Sequence, residues 1–226
     1  MPHSPLSLSP SPDLYAALSP ALRLLADRGE PRRFAKGSTI IHEGDRSDTL
    51  FIILSGRLRA FSSNTEGREI TYGIYGAGEY MGEMSLDGGL RSASVITMEP
   101  SICVMVTRET LSRFIAEVPE FAFELLSKVI HRARSVTLSA KTLALNDVYG
   151  RLYLLLTQAL ADAGASGVVE RGGESAPLPF THRDIAAHIG SSREMVSRLL
   201  KDLEKGGYIA QQRGSLTVLR PLPPRW

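Results

Sequence analysis

The sequence predicts an α+β protein with a β-rich N-terminal half, one long helix and a C-terminal winged helix-turn-helix. Three observations carry this. Between Phe34 and about Val106, ten glycines punctuate short apolar runs. From Glu120 to Tyr149 there is neither Gly nor Pro. From Thr181 onward, two short helical patterns flank Gly190 and are followed by two strand-like runs around Gln211–Gly214.

The chain has 226 residues, room for one large domain or two modest ones. Hydrophobic residues make up 43 % and charged residues 22 %, enough for a proper core and against global disorder. The single cysteine, Cys103, excludes an intrachain disulfide framework or a multi-cysteine metal site and fits a reducing compartment. No apolar run approaches the roughly 18 residues of a membrane span. No basic-then-apolar leader opens the chain. The expectation is a soluble cytoplasmic protein with no membrane partner.

The elements follow in order. Residues 1–20 hold five prolines and several serines, the composition of a mobile tail, with a short helix expected over Leu14–Leu25. The runs Thr39–Ile41, Leu50–Leu54, Ile70–Tyr72 and Ser101–Val106 read as strands of a compact sandwich or roll. In the Gly-free stretch, Leu126, Ile130, Ala133, Thr137, Ala140 and Ala144 recur at spacings of 4, 3, 4, 3 and 4. Such a seam serves either a core-facing amphipathic helix or a helix pair. A helix of about 30 residues would run ~45 Å, long for an interior helix and ordinary for a dimer spine. Arg132, Arg134 and Lys141 fall off the seam. A further helix is expected over Val148–Asp162, then a polar loop to Pro179 with room for a short hairpin.

The last segment is the most regular. Thr181-His182-Arg183-Asp184 is a capping box opening a helix over Arg183–Ile189. Gly190 breaks it, and Ser191 and Ser192 offer a second N-cap for a helix to about Lys205. Val196, Leu199, Leu200 and Leu203 form its buried stripe, and Arg193, Glu194, Ser197, Arg198 and Lys201 fall opposite. A solvated face would carry such charges. So would a helix reading base edges, where Arg forks to guanine O6 and N7 and Glu accepts from cytosine N4. Tyr208–Ala210 and Leu216–Leu219 flank Gln211–Gly214 as a β-wing whose Arg213 can touch phosphate. Residues 181–226 carry a net +4 and the remainder −2, so the basic charge gathers at this end.

In the β region, Gly82-Glu83-Met84-Ser85-Leu86 followed by Arg91-Ser92 suits a small phosphorylated ligand. Backbone amides at a short helical turn cradle phosphate, Arg91 supplies a forked countercharge, and Ser92 adds a donor. Glu83 would be repelled by phosphate and suits a sugar hydroxyl; the plainer alternative is an ion pair with Arg91, and the two can hold together.

Gly82-Glu83 with Arg91-Ser92 resembles the phosphate-binding cassette of cyclic-nucleotide-binding domains. Phe34-x-Lys36-Gly37 through Glu43-Gly44-Asp45 to Leu54-Ser55-Gly56 resembles the β-roll ahead of it. Asn146–Arg151 resembles the hinge after the long helix, and Ser192–Arg198 the recognition helix. In this order, over roughly residues 21–220, they resemble the cyclic-AMP receptor protein and fumarate-nitrate regulator (CRP/FNR) family of transcription factors. The resemblance implies a homodimer paired through the long helices, whose ligand rotates the DNA heads into register. It implies a tail over 1–20, a cyclic-nucleotide-binding β-roll over 21–118, a dimerisation helix and hinge over 119–147, and a winged helix-turn-helix over 148–226. Glu83 would bind the ribose 2′-hydroxyl, and Arg91 and Ser92 the cyclic phosphate, within a site that includes Gly82, Met84 and Ser85. The family's adenine-binding hydroxyl pair corresponds, counting back from Asp147, to Val136 and Thr137. Thr137 can bond an exocyclic amine and valine cannot. Arg193, Glu194 and Arg198 would read bases, Thr181 and His182 would touch phosphate, and Ser192, Ser197, Lys201 and Arg213 complete the DNA-binding set. The expected partner is an inverted-repeat operator in double-stranded DNA, with half-sites close to TGTGA, and RNA polymerase. Cyclic AMP is the favoured effector because the cassette is complete. Cyclic di-GMP, or no ligand at all, stands second. The intact cassette and scattered histidines speak against haem, the missing N-terminal cysteines against an iron–sulfur cluster, and no metal is expected. A sensor acting on a protein partner is the alternative of another class. Neither a Ser–His–acid pattern nor a Walker loop suggests an enzyme.

Overall fold

The structure, a computed structural model, describes residues 12–164 and 175–225. These form two compact units. One comprises the chain up to Ser62 with Tyr72–Arg134, and the other Ser63–Thr71 with Ser135 to the C-terminus.

The N-terminal unit is built on two four-stranded antiparallel sheets. One has the order β1 (Glu30–Phe34), β8 (Ser101–Val106), β3 (Leu50–Ser55), β6 (Tyr80–Met81). The other has the order β2 (Thr39–Ile41), β7 (Ser94–Thr97), β4 (Leu58–Ser63), β5 (Glu69–Tyr75). β3 shows why its sequence is apolar from Leu50 to Leu54 instead of alternating. Leu50, Ile52 and Leu54 enter one core with Leu22, Leu25, Phe114 and Phe121, while Phe51 and Ile53 enter a second with Ile41, Leu58, Met81 and Cys103. Alternate side chains leave a strand on opposite faces, and here both faces are covered. Gly56 (φ 90°) turns the chain out of β3, where a Cβ would stand 2.2 Å from Ser101 Oγ.

Strands β1, β4, β6 and β7 lie outside the runs singled out by sequence. β1 contains Pro31 and two arginines, an unpromising strand that survives at the sheet edge, where a missing N–H costs little. The helix expected over Leu14–Leu25 divides in two. A 3-10 turn covers Pro12–Tyr15 and α1 covers Pro20–Ala26, because Ser19 caps the amide of Leu22 and Pro20 takes the first turn. Leu14, Tyr15 and Leu18 pack against the core, so residues 12–20 are not a tail, while residues 1–11 lie outside the described residues. α2 (Arg108–Glu117), capped by Thr107, buries Leu111 and Phe114 and was not anticipated.

α3 runs Glu120–Leu145, shorter than the Gly-free stretch, at ~39 Å. Phe121 anchors it in the core, yet Leu126 (52 %) and Ile130 (42 %) are exposed, as are Ala133, Thr137, Ala140 and Ala144. The seam therefore does not face its own chain's core. Asp147 ends the continuity by capping α4 (Val148–Asp162), its Oδ1 accepting from Gly150 N at 2.7 Å.

The C-terminal unit adds α5 (His182–Ile189), α6 (Arg193–Lys205) and the ribbon β9 (Ile209–Gln212) with β10 (Ser215–Val218). Leu152, Leu156, Ile185, Val196, Leu200, Leu203, Ile209 and Leu216 make its core. The expected loop hairpin falls partly outside the described residues, and Leu178 pairs with Leu216 as an isolated bridge. The wing turn is tighter than expected: Gln211 and Gln212 belong to β9, leaving Arg213 and Gly214 (φ 80°) as the turn. Among the described residues no helix is long and apolar enough to cross a membrane.

Candidate effector cassette and nucleic-acid interface

The cassette starts where β6 ends. Gly82 takes a left-handed conformation (φ 94°) and leads into a 3-10 turn, Glu83–Ser85. A Cβ on Gly82 would meet Arg91 Nη1 and Thr49 O at 2.6 Å, so this position accommodates a guanidinium only because it is glycine. Arg91 is 5 % exposed. Its Nη1 donates to Gly82 O and Ser85 Oγ, both at 2.8 Å. Its Nη2 donates to Ser47 Oγ at 2.9 Å and Thr49 O at 2.7 Å. Burial pulls the guanidinium below its ordinary pKa, and Asp48, Glu83 and Asp45 oppose that shift. Its backbone is fixed too: Arg91 N donates to Asp45 O and Gly44 N to Arg91 O, each at 2.9 Å.

Glu83, 7 % exposed, does not pair with Arg91. It pairs with Arg132 of α3, Nη1 to Oε2 at 2.5 Å. The other terminal nitrogen of Arg132 donates to Tyr80 O, and its guanidinium lies 4.6 Å from the Tyr75 ring centre and 5.6 Å from that of Tyr80. Burial raises both tyrosine hydroxyls above their usual pKa, against the opposing charge of Arg132. The expected ion pair within the cassette is thus replaced by one to the long helix. A carboxylate at 83 and a guanidinium 49 positions later share no local pattern, which is why sequence reading missed Arg132, Ser47 and Thr49.

The other expected ligand residues differ in exposure. Ser85 is buried and donates to Ser47 O at 2.8 Å. Met84 and Ser92 are exposed, as are Val136 and Thr137 on α3. Val136 stands one turn beyond Arg132 on the same helix face.

The candidate nucleic-acid interface is set by two caps and a glycine. Thr181 Oγ1 accepts from Asp184 N, and the Asp184 carboxylate accepts from Thr181 N at 2.9 Å. Gly190 (φ 59°) closes α5, and Ser192 caps α6 by accepting from Met195 N. Val196, Leu200 and Leu203 are buried, and Leu199 is half-buried. Arg193, Glu194, Arg198 and Lys201 are exposed and Ser197 is partly so. Its own backbone amide, then the Ser192 hydroxyl, lowers the pKa of Glu194. Ionised, it is an acceptor only. Arg213 stands exposed at the wing turn. His182 is the departure: both ring nitrogens are engaged inside the domain, with Ser197 and Gln211. Among the described residues no group of three or more His, Cys, Asp or Glu could hold a metal ion.

Residues 31–118 match the cyclic nucleotide-binding domain family, and residues 150–221 the Crp-like helix-turn-helix domain. The CRP-like cAMP-activated global transcriptional regulator of Mycobacterium tuberculosis is 31 % identical over 199 residues, 88 % of each chain. The cyclic AMP receptor protein of Thermus thermophilus is 31 % identical over 188 residues, 83 % of this chain and 82 % of its own. Among solved structures, the c-di-GMP responsive global regulator CLP of Xanthomonas campestris aligns with a TM-score of 0.75. At 23 % identity over 89 % of this chain and 99 % of its own, it is similar in fold. Two matched domains in this order, and relatives similar along most of their length, agree with the cassette and the capped helix pair: the chain belongs to the CRP/FNR family of transcription regulators.

Proposed function

We propose that the protein is a homodimeric, sequence-specific DNA-binding regulator gated by a cyclic nucleotide, with cyclic AMP as the favoured effector. One observation carries this reading. The chain pairs a buried Arg91–Gly82 cassette with a capped helix, α6, that exposes Arg193, Glu194 and Arg198. The relatives from Mycobacterium tuberculosis and Thermus thermophilus, named for cyclic AMP, support the effector. The exposed seam of α3 supports pairing of two copies. On this reading residues 21–118 sense, 119–147 dimerise and hinge, and 148–226 bind DNA. Glu83 faces a ribose hydroxyl, Arg91 and Ser92 the cyclic phosphate, and Thr137 the base. Arg193, Glu194 and Arg198 read base edges, while Thr181 and Arg213 touch phosphate. The protein works in the cytoplasm, with RNA polymerase as its downstream partner. Gating is a population shift, so the effector binds the DNA-competent dimer more tightly than the resting one.

A second reading, in which Arg91 is purely structural and no effector is needed, draws on the four protein oxygens that already hold its guanidinium. Calorimetric titration with cyclic AMP, and separately with cyclic di-GMP, tests both. Saturable cyclic AMP binding supports the first reading. Binding by cyclic di-GMP alone names the other effector, to which the apolar Val136 lends weight. Operator binding with neither nucleotide bound selects the structural reading.

A further inference from the structure

His182 occupies the first position of α5 and is partly buried. Its Nδ1 lies 2.7 Å from Ser197 Oγ on α6, and its Nε2 lies 2.6 Å from Gln211 Oε1 on the wing. Gln211 is itself held. Its Nε2 donates to Glu204 Oε2 at 2.9 Å, and its backbone N donates to Glu204 Oε1 at 3.0 Å. Glu204, Gln211, His182 and Ser197 therefore form one relay through α6, β9 and α5 and back to α6.

Donor and acceptor chemistry gives the relay a direction. An ionised carboxylate only accepts, so the Gln211 amide turns its nitrogen to Glu204 and its carbonyl oxygen to His182. That oxygen also only accepts, so the imidazole proton sits on Nε2. A neutral ring has one such proton, which leaves Nδ1 bare. The Ser197 hydroxyl then donates to Nδ1. Its only proton is spent inside the protein, and lone pairs are what it offers outward.

We propose that His182 is a positioning residue for base readout: it holds the Ser197 hydroxyl as a hydrogen-bond acceptor in the major groove. An acceptor at this point selects the exocyclic amines, adenine N6 or cytosine N4, over the acceptor edges of guanine O6/N7 and thymine O4. The role differs from a phosphate contact, because both ring nitrogens are already occupied. It rests on the reading of α6 as the base-reading helix.

The test is selection of binding sites from a randomised duplex library by the full-length protein, with and without cyclic AMP, followed by titration of permuted sites. The unmodified protein is expected to enrich one position per half-site for adenine or cytosine, discriminating about tenfold there. A tenfold ratio corresponds to about 1.4 kcal/mol. Ser197→Ala should flatten that position alone. His182→Phe keeps a planar ring without nitrogens and should flatten the same position, leaving the one read by Arg193 intact. Gln211→Leu leaves the ring in place but removes the carbonyl that sets its tautomer. It should admit guanine or thymine at that position at several-fold lower cost. If both relay variants keep the discrimination that Ser197→Ala loses, the inference is overturned, and it also falls if Ser197→Ala changes nothing. Selection of no sequence at all by the unmodified protein overturns the DNA-reading premise instead.

Discussion

Arg91 is a structural residue first, and the proposed function gives it a recognition role as well. It donates to a cluster of acceptors from two chain segments, Ser47–Thr49 and Gly82–Ser85, and in the proposed reading it also faces the cyclic phosphate. Removing it strips a donor from each of four protein oxygens, and each hydrogen bond to a charged group contributes about 1.5–3 kcal/mol. Loss of ligand binding in Arg91→Ala would therefore mix lost recognition with a collapsed cassette. Ser92 separates the two, because it is exposed. Ser92→Ala is expected to leave the unfolding midpoint unchanged and to weaken cyclic AMP binding by about 10–150-fold, the value of one hydrogen bond to a charged group. Arg91→Lys should lower both affinity and stability, since a lysine ammonium cannot fork to four oxygens. Calorimetry and denaturant unfolding on the same preparations check both outcomes.

At the scale of elements, the helix-turn-helix is specified by its ends. Gly190 closes α5 in a left-handed conformation, and the caps at Thr181 and Ser192 set where each helix begins. A side chain at φ 59° is strained, and a Cβ there would also press on Leu143 Cδ2 at 3.1 Å. Gly190→Ala should cost about 1–2 kcal/mol. Gly190→Asn should cost less, because asparagine tolerates the left-handed region better. Thermal unfolding of the two variants measures the difference. The same element logic explains α3 and α4. No Gly or Pro interrupts 120–149, but the Asp147 side chain starts a second helix by satisfying Gly150 N.

At the scale of the molecule, the central question is what covers the α3 seam. Leu126 and Ile130 expose 52 % and 42 % of their surface, so a charge at Ile130 breaks nothing within one chain. If two copies pair through this seam as proposed, Ile130→Glu should leave the monomer's secondary structure and unfolding intact while shifting the protein from dimer to monomer in sedimentation equilibrium. Operator binding should then weaken by at least 100-fold, because two linked heads gain on the order of 10²–10⁴ in avidity over one. A variant that stays dimeric would locate the pairing surface elsewhere.

The sequence by itself determined the elements whose signals are local. The capping box at Thr181–Asp184, the Gly190 turn, the buried stripe of α6 and the Gly-free run of α3 each lie within a few residues of what they specify. The cassette residues were legible for the same reason, as a short run from Gly82 to Ser92. Tertiary structure alone decided their partners. Glu83 turns to Arg132 and away from Arg91, Arg91 is bound by Ser47 and Thr49, and His182 turns inward to Ser197 and Gln211. Edge strand β1 likewise exists because β8 lies beside it, against the grain of its own proline and charges. The physical reason is the same throughout. Helix ends and periodicity depend on backbone groups three or four positions apart. A buried charge must find whatever counter-group the packed chain brings within reach, at any separation in sequence.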